Sequence, residues 1–95
     1  MKTLIDTVIE AKPERQNKEQ KTILFSLILY NDSENTFDHV MSCLSEYCEH
    51  TDIQAEQCAL TAHLAGKCII KIGPLEKLKE IREALVENNL TVEIL

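Results

Sequence analysis

From Ile23 to Tyr30 the chain runs ILFSLILY, branched and aromatic side chains in near-continuous order. A run this apolar cannot stay in water and is short for a buried helix, so it predicts a central β-strand. The segment NDSEN breaks it. From Asn35 the period changes, and Phe37, Val40, Met41, Leu44, Tyr47 and Cys48 recur at the i, i+3, i+4, i+7 spacing of an amphipathic helix. Asn35 with Asp38 three residues on predicts its N-cap and a capping box. Thr51 and Gln54 repeat the device ahead of a second helix, with Ile53, Ala59, Leu60 and Leu64 as inward positions and Gly66 as its C-terminal stop. CIIKI (68–72) predicts another strand. Gly73 and Pro74 open a third helix presenting Leu75, Leu78, Ile81 and Leu85, Asn88 and Asn89 end it, and the alternation in LTVEIL makes the last strand. The order strand, helix, helix, strand, helix, strand predicts an α+β domain, a three-stranded antiparallel sheet packed against three helices on one face.

The chain ahead of this domain has a different pattern. Residues 12–21, KPERQNKEQK, offer nothing to a core and read as a flexible connector. Before it, Leu4, Ile5, Val8 and Ile9 would give a short helix one apolar stripe when it meets a partner, and a helix this short is marginal alone. The expected division is a mobile arm and linker over 1–21 and a folded domain over 22–95.

Composition narrows the class. The 95 residues are 44% hydrophobic, too many for a disordered polymer, yet no apolar run approaches the roughly 20 residues of a membrane-spanning helix. Asp6 and Glu10 interrupt the only N-terminal apolar stretch, so no secretory signal is read there and the cytoplasm is the expected compartment. The net charge of −6 is unevenly placed, because residues 23–66 hold seven acidic side chains and no Lys or Arg. Phosphate binding needs clustered cations, so nucleic acid is an improbable partner and a cationic ligand fits better; a plain solvated acidic surface is the bland alternative.

Catalytic signals are weak. Cys43, Cys48, Cys58 and Cys68 contain no Cys-x-x-Cys pair, and buried cytosolic cysteines are usually small hydrophobes. A site using His39 and Cys43, or His63 with Cys58 and Cys68, is geometrically conceivable. There is no nucleophile elbow, no phosphate loop and no metal-hydrolase pair, so neither an enzyme nor a bound cofactor or metal is expected.

The constellation with most chemistry is Asn31, Asp32 and His63. The predicted topology puts the Asn31–Asp32 turn after the first strand, and His63 near the end of the second helix at a sheet edge. All three side chains can accept hydrogen bonds when His63 is neutral, and no cation neighbours them in sequence, a grouping suited to a primary ammonium with its three donors. Protonating His63 would set a cation beside that amine, so binding should weaken at acid pH. The plainer readings are an Asx turn satisfying its own backbone and a half-buried structural histidine.

The segment LILYNDSENTFDHVMSCL, followed by a helix ending TAHLAGKCII, resembles the ClpS adaptor family, in which a hydrophobic strand runs into Asn-Asp and a later helix ends in His-x-x-Gly. The resemblance spans residues 22–95. It implies an adaptor, a monomer without cofactor, that recognises proteins by a bulky hydrophobic N-terminal residue, the N-degron, and delivers them to a Clp-family AAA+ unfoldase. Asn31, Asp32 and His63 would hold the substrate's α-amino group. Leu29, Phe37, Val40, Ala59, Ala62 and Leu90 would surround its first side chain, and Glu76 and Lys77 are candidates for the unfoldase-docking face. The arm fits the family's N-terminal extension. Ser33, Asn35, Phe37 and Ala59 depart from the usual Asp, Thr, Met and Met; losing a thioether at Ala59 deepens the pocket, and Phe37 refills part of it. Two alternatives stay open: a ClpS-like docking or regulatory domain that has lost N-degron binding, and a Cys/His metal or thiol sensor.

Overall fold

A computed structural model describes residues 22–95; the arm and linker expected over 1–21 lie outside the described residues. Strand β1 (Leu24–Tyr30) is central, flanked by β2 (Lys67–Pro74) and β3 (Val92–Ile94), both antiparallel to it. Side chains alternate across a strand, so Leu27 and Leu29 share one face and are buried there. Against that face pack α1 (Phe37–Tyr47), α2 (Asp52–Ala65) and α3 (Leu75–Glu87), which bring Leu44, Leu78, Ile81 and Leu85 into one core with Ile70 and Leu90. The α+β class and element order are those expected.

The register of β1 against β2 shifts, because Leu27 faces Lys71 while Ile28 faces Ile69. Ile70 is therefore the extra residue of a β-bulge, which bends the strand and leaves backbone groups to be satisfied outside the ladder. The Ile70 carbonyl accepts from His50 Nε2 at 2.8 Å, and Lys71 Nζ donates to the Cys48 carbonyl at 3.2 Å. The bulge thus anchors the short link between α1 and α2.

Two expectations are corrected. The N-cap of α1 is Thr36, whose hydroxyl accepts from the His39 backbone N–H at 3.0 Å, so there is no Asn35–Asp38 capping box. Asn35 is drawn away by a stronger partner, the Asp32 carboxylate. The second correction is the inward face of α2. Ile53, Leu60 and Leu64 are 71%, 40% and 73% exposed, whereas Ala59, buried as expected, is joined in the core by Ala55 and Ala62. The alanines recur at i, i+4, i+7, and their small side chains let α2 lie close on the neighbouring elements, an approach leucines would block. The Thr51–Gln54 capping box and the left-handed Gly66 C-cap (φ 95°) are present as expected.

Candidate functional site

A cavity of about 410 Å³ opens where the end of β1, the following turn, the start of α1 and the last two turns of α2 meet. Its lining comprises Leu29, Tyr30, Asn31, Asp32, Ser33, Asn35, Phe37, Val40, Ala59, Ala62 and His63. The backbone accounts for the convergence. Asn31 N–H donates to the Gly66 carbonyl at 2.9 Å, and Gly66 N–H to the Ala62 carbonyl at 2.9 Å, so the exit of β1 is stitched to the turn that ends α2. His63, three residues before Gly66, is carried to the same rim.

The lining divides by chemistry. Leu29, Val40, Ala59 and Ala62 supply apolar surface, with Phe37, 40% exposed, at the edge. Asn31, Asp32, Ser33, Asn35 and His63 supply polar groups, and no Lys or Arg is among the lining residues. The Asp32 carboxylate is fastened: Oδ1 accepts from Glu34 N–H at 2.9 Å and Asn35 N–H at 3.0 Å, an Asx turn. Asn35 Nδ2 adds bonds of 3.2 Å to Oδ1 and 3.0 Å to Oδ2. Burial works against the charged form, but the hydrogen bonds from the Asn35 backbone, the Asn35 amide and the Glu34 backbone prevail and hold the carboxyl below its ordinary range. Oδ2, with one partner among the described residues, keeps lone-pair capacity for a further donor.

Of the residues named from sequence, Asn31, Asp32, His63, Leu29, Phe37, Val40, Ala59 and Ala62 share this cavity. Leu90, 4% exposed, lies in the core and is not among the lining residues. Glu76 and Lys77 stand exposed in the first turn of α3, away from the cavity lining; Lys77 borders a smaller hollow of about 200 Å³ with Tyr47, Glu49, Lys71 and Glu80. Tyr30 joins the lining unannounced, because its place at the strand end was visible but its side of the sheet was not. The cysteines are elsewhere. Cys43 Sγ lies 3.7 Å from His39 Nε2, and that nitrogen donates to the Asn88 carbonyl at 2.9 Å. Burial pushes the Cys48 thiol up to about 11. Burial, with the Cys58 thiol donating a hydrogen bond to the Cys68 sulfur, pushes that of Cys58 up to about 12. Among the described residues no group of three His, Cys, Asp or Glu side chains gathers to hold a metal ion.

A small α+β domain with an open cavity, apolar within and lined at its mouth by acceptors, is a recognition module. Residues 20–93 match the family described as ATP-dependent Clp protease adaptor protein ClpS. The ClpS adapter protein of Thermosynechococcus vestitus is 33% identical over 69 residues, spanning 72% of this chain and 73% of that protein. That of a Nostoc species is 30% identical over 91 residues, spanning 93% of this chain and 94% of the relative. The structure of Agrobacterium tumefaciens ClpS2 bound to L-phenylalaninamide aligns with a TM-score of 0.62 at 20% identity, covering 76% of this chain and 96% of that one, and shares the fold. The chain belongs to the ClpS family of Clp protease adaptors, and is an adaptor rather than an enzyme. No helix among the described residues is long and apolar enough to cross a membrane.

Proposed function

We propose that this adaptor binds the free N-terminus of proteins that begin with a bulky hydrophobic residue and delivers them to a Clp-family AAA+ unfoldase. The observation that carries the reading is a single cavity joining an apolar interior to an acceptor-lined, cation-free mouth. Asn31, Asp32 and His63 receive the α-ammonium, with Asp32 Oδ2 as the oxygen able to take another donor; Leu29, Phe37, Val40, Ala59 and Ala62 surround the first side chain. The bound phenylalaninamide of the Agrobacterium relative, a hydrophobic residue with a free amino group, supports this choice of ligand.

Magnitudes require both halves of the ligand. Three hydrogen bonds to a charged amine contribute about 1.5–3 kcal/mol each, and one buried Leu or Phe side chain adds roughly the same. Association costs at least about 4 kcal/mol, which leaves weak to micromolar binding, suited to cargo that must be released. The test is a titration with peptides beginning with Leu or Phe, each with a free or acetylated N-terminus, and Asp32→Ala as control. Free peptides bind and acetylated ones do not; equal affinity for the acetylated forms removes the ammonium from the reading.

Delivery is assigned to residues 1–21, with Glu76 and Lys77 on the docking side, and work in the cytoplasm as a monomer. Deleting residues 1–20 should leave peptide affinity unchanged and reduce degradation of an N-degron reporter by the unfoldase and protease. Loss of peptide binding on that deletion would place the segment in the recognition domain instead.

A further inference from the structure

Asn35 sits at the junction of three elements. Its Nδ2 reaches both oxygens of Asp32, at 3.2 and 3.0 Å, and also the Asn89 carbonyl at 2.9 Å, so one amide group bridges the turn after β1 to the end of α3. An NH2 has two hydrogens, and here one serves the carboxylate and the other the carbonyl. The neighbours also fix which end of the amide is nitrogen, since the reverse orientation would set the amide oxygen against three other oxygens with no proton among them. The far anchor is itself held. Asn89 has a left-handed backbone (φ 70°), its N–H donates to the Val86 carbonyl at 2.9 Å, and the next residue, Leu90, donates to the Leu85 carbonyl at 3.0 Å. The Asx turn, made through backbone N–H groups, would survive any residue but proline at position 35. The link to α3 would not.

We propose that Asn35 is a positioning residue of the recognition pocket, its side-chain amide holding the Asp32 carboxylate against the C-terminal end of α3. This rests on the assignment of Asp32 to the ammonium-binding mouth. The orientation of Asp32 then depends on packing at α3 as well as on its own turn, and position 35, although it lines the cavity, sets affinity through Asp32.

The test is a double-mutant cycle in the full chain, measured with a free N-terminal Leu peptide, together with a carbon-13 NMR titration of the Asp32 carboxyl. Asn35→Ala weakens binding about tenfold, the scale of one lost hydrogen bond to a charged group, and moves the Asp32 titration to higher pH. Asp32→Ala weakens binding at least as much, and adding Asn35→Ala to it costs less than about twofold more, because both changes act through one carboxylate. Asn35→Thr, which keeps a hydroxyl donor for the carboxylate, falls between wild type and alanine; it replaces the alanine variant in the cycle if that variant does not fold. A tenfold loss that recurs in the Asp32→Ala background overturns the proposal, since Asn35 would then act independently of Asp32. Wild-type affinity in Asn35→Ala overturns it too. Failure of the wild type to bind the peptide overturns the pocket assignment itself.

Discussion

The backbone N–H of Asn31 donates to the carbonyl of Gly66 at 2.9 Å, joining the residue that follows the central strand to the residue that ends the second helix. Thirty-five positions of sequence are closed by that one bond. It brings the polar turn and His63 onto a common rim, and it depends on a backbone conformation at Gly66 (φ 95°) that L side chains rarely adopt.

The first prediction concerns that glycine. A Cβ added at Gly66 meets nothing within 4 Å, so a substitution there is resisted by backbone conformation alone. Gly66→Ala should destabilise the domain by about 1–2 kcal/mol, with Gly66→Asn less harmful because asparagine tolerates positive φ better. For a domain this small, the melting temperature should fall by about 4–8 °C per kcal/mol. Equal melting temperatures for alanine and glycine would show that the turn relaxes freely.

Ala59 is buried and lines the cavity, so a larger side chain there has open space to enter. Ala59→Leu is expected to reduce affinity for Leu or Phe N-termini at least tenfold while leaving the melting temperature within a few degrees of wild type. If the leucine turned into the core instead, overpacking would cost about 1–3 kcal/mol and thermal melting would report it.

Acid sensitivity follows from Asp32. Its carboxyl is held below the ordinary range because hydrogen bonds from Asn35 and Glu34 outweigh the opposing effect of burial. A group whose folded value is depressed stabilises fully above its unfolded value, near 4, and loses that contribution as pH falls through the folded one. Asp32→Ala should therefore be less stable than wild type at pH 7, by about 1 kcal/mol, and the two denaturation midpoints should converge towards pH 3. A constant difference across that range would mean that the carboxylate charge plays no part.

The thiols of Cys48 and Cys58 should be inert in the folded chain. With Cys48 pushed up to about 11 and Cys58 to about 12, almost none of either is thiolate at pH 8, and the thiolate is the reacting form. Ellman's reagent at pH 8 should react slowly with both until urea unfolds the domain, when all four cysteines become accessible. Rapid reaction of Cys58 in the native chain would revive a thiol-sensing role.

Local patterns carried much of this protein. The β1 run, the α1 and α3 periodicities, the Thr51–Gln54 box and the Gly66 stop were all legible, because each is decided within a few residues by conformational preference and amphipathic spacing. The polar turn and His63 were legible as chemical types. What only the tertiary structure decided was who competes for whom. Asn35 has the composition of a helix cap, but a carboxylate three residues earlier and a carbonyl from α3 claim it, so Thr36 caps the helix. The second helix carries leucines and alanines on different faces, and sequence weighting by size favours the leucines. Close packing buries the alanines, which periodicity alone did not predict for Ala55 and Ala62, while the place of Ala59 and Ala62 in the hollow is the one the family resemblance implied. Distance in space, set by backbone bonds such as Asn31 to Gly66, is a property of the whole chain and has no local signature.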